Sequence, residues 1–307
     1  MPGRALPPGH RPPLAAGRQA RLREPDQALA VDPLRGPSAL RSHRRGRGPR
    51  RTRRRAPGGP LGSGAGEPVT RRVLITGASS GIGAEVAWLL QADGARVALN
   101  GRDEAALVAV AGESAISVPG PLDEPSERDR VVDQALAALG GLDALVLSAG
   151  YAAHAPFEVM SEAALRAQLE VNLVAPLLMV QRALPALREA RGCVVFLGST
   201  LVERPAPGTL GYTVAKAGLH AATRALAGEL APVRVNAIAP GVVDTPMIRA
   251  PRHGEDTDDV ATRVEALREL HPLGLGEPAD VAGAVRYLLD TRWLTGTVLT
   301  LDGGLTA

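Results

Sequence analysis

Arg72-Val73-Leu74-Ile75-Thr76 is a short apolar run rich in β-branched residues. It passes without interruption into Gly77-Ala78-Ser79-Ser80-Gly81-Ile82-Gly83 and then into an Ala- and Leu-rich segment reaching Gln91. Strand, glycine turn and helix in this order open a βα unit. Glycine lets the turn be tight and lets the backbone approach a pyrophosphate, whose charge then meets a helix N-terminus. The spacing is G-x-x-x-G-x-G and not the common G-x-G-x-x-G, so the turn alone leaves its ligand open. The unit then repeats. Arg96-Val97-Ala98-Leu99 is a second strand followed by a helical segment. Ala115 to Val118 is a third strand before a helix from Ser126 to Leu139, and Leu142 to Leu147 is a fourth, closed by Ser148-Ala149-Gly150. Such alternation implies right-handed crossovers and a parallel, doubly wound α/β sheet. A ligand should lie across the carboxyl ends of the strands, where Gly77, Asn100 and Gly150 fall.

Asn100-Gly101-Arg102-Asp103 ends the second strand. An acidic residue there would hold a free ribose 2′-hydroxyl, whereas an arginine would accommodate a 2′-phosphate. Arg102 therefore favours NADP(H). Asp103 keeps NAD(H) open, although it is also explained as a helix N-cap with Glu104 in the first turn.

The second half carries the chemistry. An amphipathic segment runs from Ser161 to Arg188 and holds Asn172, with Pro176 and Pro185 expected to bend or divide it. Asn172 reads either as the cap of a local kink or as a functional amide. Cys193 to Leu197 is a fifth strand that delivers Ser199, and Cys193 reads as a buried strand residue. A helix from Leu210 to Leu230 bears Tyr212 and Lys216, and a sixth strand, Val233 to Ile238, leads into Pro240-Gly241-Val242-Val243-Asp244-Thr245. A separation of four puts the phenol and the ammonium on one helix face, one turn apart. An ordinary tyrosine titrates near ~10, and a neighbouring cation favours its anion. Such a pair suits proton transfer, though the same spacing also occurs on ordinary exposed helix faces.

Taken together, Thr76 to Gly83, Ser148-Ala149-Gly150, Asn172, Ser199, Tyr212-x-x-x-Lys216, Pro240-Gly241 and Leu301-Asp302-Gly303-Gly304 resemble the short-chain dehydrogenase/reductase family over residues 71–307, most like its 3-oxoacyl-carrier-protein-reductase branch. The resemblance implies a single Rossmann-like, seven-stranded domain that moves hydride between a nicotinamide and a carbonyl or alcohol. It implies Tyr212 as the acid-base residue, Lys216 as the group that lowers its pKa and holds the nicotinamide ribose, Ser199 as a donor to the carbonyl oxygen, and Asn172 as support for a water relay. Cofactor contacts would come from Gly77, Ser79, Ser80, Gly81, Ile82, Gly83, Asn100, Arg102, Ser148, Ala149, Gly150, Tyr212, Lys216, Pro240, Gly241, Val243 and Thr245, with no metal. Asp244 to His271 would cover a small carbonyl or alcohol substrate, with Arg252 to Asp259 a mobile run. His154 and Phe157 would stand near the pocket wall, and Trp293 would pack in the core or at a subunit contact of a homo-oligomer, usually a tetramer. Two positions depart from the family pattern. Leu147-Ser148 replaces Asn-Asn before Ala149-Gly150, and Pro121, with Leu122-Asp123 after it, stands where an Asp near the adenine is common. A non-catalytic dinucleotide-binding regulator of the same fold is the competing class, and the intact Asn172, Ser199, Tyr212 and Lys216 set argues against it.

Composition matters most at the N-terminal end. Residues 1–70 carry fifteen arginines against four acids, a local charge of +11, so the rest, with 20 basic and 28 acidic residues, carries −8. Twelve prolines, eleven glycines and no apolar periodicity describe a disordered tail that cannot build a core. It has no interleaved aromatics for stacking on bases, which argues against a nucleic-acid partner. No apolar stretch suggests a secretory leader or a membrane span, and one cysteine excludes an internal disulfide framework, so a reduced cytoplasmic setting fits. A natural start near Val69 is one explanation of the tail. A chain shortened to begin at Val69 is expected to keep full turnover, and loss of cofactor binding on that truncation would place the tail inside the fold.

Overall fold

The computed structural model describes residues 70–252 and 255–307, and all but the last residue of the segment read above as a tail lies outside these residues. The first half is built of β1 (Arg72–Thr76), α1 (Gly81–Ala92), β2 (Arg96–Asn100), α2 (Glu104–Ala111), β3 (Ile116–Ser117), α3 (Pro125–Leu139) and β4 (Ala144–Leu147). The second half continues with α4 (Glu162–Leu169), α5 (Ala175–Ala190), β5 (Cys193–Leu197), α6 (Leu210–Glu229), β6 (Arg234–Pro240), α7 (Pro246–Arg249), α8 (Thr257–Glu269), α9 (Pro278–Asp290) and β7 (Val298–Leu301). The sheet has seven strands in the order β3-β2-β1-β4-β5-β6-β7, and every neighbouring pair is parallel. This is the doubly wound sheet the alternation implied, and its order reverses between β1 and β4.

Residues along each strand alternate between two cores. Val73 and Ile75 of β1 join Val97, Leu99, Val146 and Val195 under α1, α2 and α9. Leu74 turns the other way and joins Leu145, Val194, Phe196 and Val235 under α3, α5 and α6. With both faces covered, the strands are apolar throughout and not alternating, as buried parallel strands are. At the amino edge Arg72 grips Asp143 through two side-chain hydrogen bonds of 2.9 Å, while the Arg72 backbone N–H donates to the same carboxylate at 2.7 Å. Desolvation opposes ionisation of Asp143, yet these bonds hold its pKa below the ordinary carboxylate value.

The segment predicted to be broken by proline is instead divided by a π-helical turn, Glu170–Val174, between α4 and α5. Pro176 falls in the first turn of α5, where a missing N–H is tolerated, and Pro185 sits inside α5 without ending it. An 18-residue window within the helical run Glu162–Ala190 reaches a mean hydropathy of 1.3, which by length and composition alone would suffice to cross a membrane. The run packs on α3 and α6, which buries 33% of that window. Helix α9 was not anticipated, although Val281, Ala282, Val285, Leu288 and Leu289 follow helical spacing and all are buried. Helix α8 begins at Thr257, inside the run expected to be mobile, because Asp256 and Asp259 form a reciprocal capping box. Within the run expected to be mobile, His253 and Gly254 lie outside the described residues.

Candidate active site

A cleft of about 500 Å³ opens at the carboxyl edge of the sheet. Gly77, Ser79, Ser80, Gly81, Ile82, Gly83, Asn100, Arg102, Ser148, Ala149, Gly150 and Thr245 line it, so twelve of the predicted cofactor contacts converge there. Gly77 has φ +66°, and a Cβ on it would stand 2.7 Å from the Ala149 Cα. A Cβ on Gly83 would run into the Gly77 carbonyl. Both positions therefore need glycine for close approach, and Gly77 also for its left-handed backbone. Ser80 precedes α1 in extended conformation without capping it by its side chain, so the first-turn N–H groups are left to a ligand. Narrow glycine walls and the free N-terminus of a twelve-residue helix fit the pyrophosphate of a dinucleotide.

The far end of the cleft tests the other cofactor cues. The Asn100 amide donates to the carbonyls of Val118 and Gly120 at 3.0 and 3.1 Å, so its side chain builds the wall between β2 and β3 and does not reach outward. Asp103 accepts the Ala106 N–H at 3.0 Å and is a helix N-cap, which leaves the exposed Arg102 as the cationic group at this end. Asp123 lines the cleft where Pro121 does not. Gly101, Gly120, Tyr151, Pro246 and Met247 also line it and were not predicted, because their placement depends on loops that sequence periodicity does not describe.

Other predicted contacts lie behind the wall. The Pro240 carbonyl accepts the Thr200 hydroxyl at 3.0 Å, Gly241 is pressed against Asp302 and His271, and Val243 is buried opposite Gly276. These three support the loop that presents Thr245. Tyr212 and Lys216 are likewise outside the cleft lining.

Strand β5 ends at Leu197 and places Ser199 8% exposed, with its Oγ accepting the Leu201 N–H at 3.2 Å. Helix α6 brings Tyr212 to Ser199 and buries Lys216, whose Nζ donates to the Leu197 carbonyl at 2.6 Å and stands 5.3 Å from the centre of the Tyr212 ring. Desolvation pushes the Tyr212 phenol up to about 12, and the neighbouring Ser199 hydroxyl only partly opposes it. Desolvation also pushes Lys216 down to about 8. The expected lowering of the tyrosine by the lysine is thus outweighed by burial, because the ammonium is directed at a backbone carbonyl and is itself desolvated. Asn172 is fully buried in the π-helical turn. Its amide donates to the Tyr151 and Gln168 carbonyls at 2.6 and 2.9 Å and its oxygen accepts the Tyr151 N–H at 3.0 Å. It both caps the irregular turn and ties it to the loop after β4.

Several remaining readings are resolved by burial. Cys193 is a buried free thiol, pushed up to about 11 by desolvation, and is no nucleophile. His154 and Phe157 are surface residues on the loop after β4. Trp293 is 99% exposed, so it is not a core residue of this domain.

The two displaced pKa values set a pH signature. Between about pH 8 and 10.5 an unfolded Lys216 holds a proton that the folded one has released, so stability should rise with pH there. The raised Tyr212 acts in the opposite sense between about pH 10 and 12. Lys216→Met is expected to flatten the rise between pH 8 and 9.5 in urea unfolding, and an unchanged slope would refute the buried amine.

The sequence profile described as Enoyl-(Acyl carrier protein) reductase matches residues 77–306. A protein of Streptomyces violaceoruber named as a ketoacyl reductase of the granaticin polyketide synthase is 37% identical, over 75% of this chain and 94% of its own length. Glucose 1-dehydrogenase of Gluconobacter oxydans is 34% identical, over 77% of this chain and 92% of its own. The structure of aldohexose dehydrogenase of Thermoplasma acidophilum superposes with a TM-score of 0.71 at 25% identity, covering 77% of this chain and 94% of that one. With the sheet order, the glycine cleft and these relatives in agreement, the chain belongs to the short-chain dehydrogenase/reductase family, nicotinamide-dependent oxidoreductases of CH–OH groups.

Proposed function

We propose that this protein reduces a ketone, in the first place a 3-oxoacyl thioester, to the secondary alcohol at the expense of NADPH, with Tyr212 as proton donor. The observation that carries the proposal is the placement of Tyr212 between Ser199 and Lys216, with its phenol held protonated at neutral pH. A bound nicotinamide supplies the hydride. The chain supplies the proton and the field. An oxygen that gains negative charge needs preorganised donors, and the Tyr212 and Ser199 hydroxyls can meet it together. Lys216, mostly charged below its pKa of about 8, favours the phenolate left after proton transfer.

Support for the oxoacyl class comes from the relative named as a ketoacyl reductase. Support for NADPH comes from Arg102, exposed at the end of β2 and able to pair with a 2′-phosphate, a charge-assisted contact worth roughly 1.5 to 3 kcal/mol. Helices α7 and α8 form the cover. Arg263 joins them by donating to the Ile248 and Ala250 carbonyls at 2.8 and 3.0 Å while pairing with Glu255 at 2.8 Å. A cover so braced would shield the reacting carbonyl from water. We further infer a homo-oligomer, supported by the exposed Trp293 in the segment before β7, which is the last strand of the sheet among the described residues, and a cytoplasmic setting, supported by the free thiol of Cys193. Light scattering that read a monomer at micromolar concentration would reject the assembly.

The test is NADPH consumption over ketones, 3-oxoacyl thioesters and enoyl thioesters. Tyr212→Phe is expected to lower kcat by roughly 10²- to 10⁴-fold, and turnover equal to wild type would overturn the acid-base role. Consumption with enoyl thioesters alone would overturn the substrate class. Arg102→Ala should erase a preference for NADPH over NADH, and equal affinities in the unaltered protein would reject that assignment.

A further inference from the structure

Tyr212, Lys216 and His220 recur at intervals of four along α6, which places them in one row on the face turned to the sheet. His220 is 2% exposed. Its Nε2 accepts the Ser199 backbone N–H at 3.4 Å, and its Nδ1 stands 3.5 Å from the Glu203 carboxylate, just past the turn that follows Ser199. A Cβ on Gly198 would collide with Nε2, so the glycine before Ser199 is what admits the ring beneath the strand end. An imidazole nitrogen that accepts a hydrogen bond carries no proton, so the neutral ring bears its proton on Nδ1, toward Glu203. Among the described residues that proton has no hydrogen-bond acceptor, since 3.5 Å to Glu203 is an electrostatic contact only.

We propose that His220, oriented by Glu203, is a positioning residue: its unprotonated Nε2 anchors the Ser199 main chain so that the Ser199 hydroxyl stays against Tyr212, and protonation of the ring releases the anchor and lowers turnover. The proposal rests on the roles given above to Ser199 and Tyr212. Protonation would turn Nε2 into a donor facing the Ser199 N–H, and two donors cannot bond. The charged groups that face the ring are Glu203 from the segment after Ser199, and Arg224 and Lys216 from α6. Desolvation, then Arg224 and Lys216, disfavour the imidazolium, while Glu203 favours it, and the balance holds the ring below its ordinary pKa. The anchor is therefore intact at neutral pH and lost on the acid side.

Two measurements on the full chain test this. In the first, nuclear magnetic resonance follows the His220 ring and the Ser199 amide against pH, and the two signals are expected to move with one midpoint. A Ser199 amide indifferent to the ring's titration would overturn the anchor whatever the activity. In the second, kcat for NADPH with an acetoacetyl thioester is followed against pH. Glu203→Gln, which removes the carboxylate, is expected to move the acid limb down by about half a pH unit or more. His220→Gln, whose carbonyl can accept the same N–H without titrating, should flatten the limb and keep turnover, whereas His220→Leu should lose roughly tenfold in kcat. An acid limb at the same pH in all of these variants sinks the proposal. Tyr212→Phe turning over like wild type would instead remove the catalytic reading beneath it and leave the resonance result standing on its own.

Discussion

The approach of Gly77 to Ala149 is the contact on which the site depends. The two residues lie just past the ends of adjacent strands, β1 and β4, and their backbones come so near that a single methyl group on Gly77 would stand 2.7 Å from the Ala149 Cα. The Thr76 hydroxyl accepts the Ala149 N–H at 3.1 Å and fixes the same junction from one residue earlier. Gly83, the third residue of α1, then packs its backbone onto the Gly77 carbonyl, which brings the N-terminus of the helix down to the strand ends. A side chain at Gly83 would push the helix away, and one at Gly77 would force the ends of β1 and β4 apart. Because the sheet order reverses between these two strands, the crevice a dinucleotide needs is created there without further construction of loops.

The opposite end of the cleft follows another rule, the satisfaction of buried polar groups. Asn172, Lys216 and Gln168 are at most 3% exposed, yet most of their polar atoms are committed to main-chain partners from other elements. Lys216 bonds Leu197 of β5, and Asn172 bonds Tyr151. Gln168 accepts the Ala153 N–H at 3.1 Å, while its own amide nitrogen is left without a partner. Buried polar side chains of this kind fix relative positions because each unsatisfied alternative is penalised by desolvation. The irregular turn that carries Asn172 is held in the same way, its side chain bridging to the loop after β4. Rigidity around Ser199 and Tyr212 thus comes from α4, α6 and the loops they bind, more than from the strand that delivers Ser199.

Burial also decides the resting protonation of the Tyr212 and Lys216 pair. A lysine one turn from a tyrosine suggests a lowered phenol, and Coulomb attraction alone would give that. In the folded chain both groups are desolvated, which favours the neutral form of each, so the phenol rises and the amine falls. A protonated phenol would suit the proton-donating role proposed for Tyr212, and the depth at which α6 is seated sets that protonation.

Much of this was legible in the residues themselves. Six strands, the glycine turn and the helix bearing Tyr212 and Lys216 follow from apolar runs punctuated by glycine, since a buried parallel sheet demands such runs. Asp103 as an N-cap and Cys193 as a strand residue follow from local chemistry of the same kind. What periodicity could not supply was anything set by contacts between distant segments. The π-helical turn at Glu170–Val174 exists because Asn172 finds the Tyr151 backbone twenty-one residues away. The burial of Pro240, Gly241 and Val243 behind the cleft depends on Thr200, His271 and Gly276. His220 was invisible for the same reason, because nothing in its neighbours along the chain says that α6 will carry it beneath Ser199. The sequence by itself determined the order of elements and the chemistry available at their ends, since both are local properties of side chains. Only the tertiary structure decided which of those groups are desolvated and which backbone atoms they face, and these two facts govern their charge.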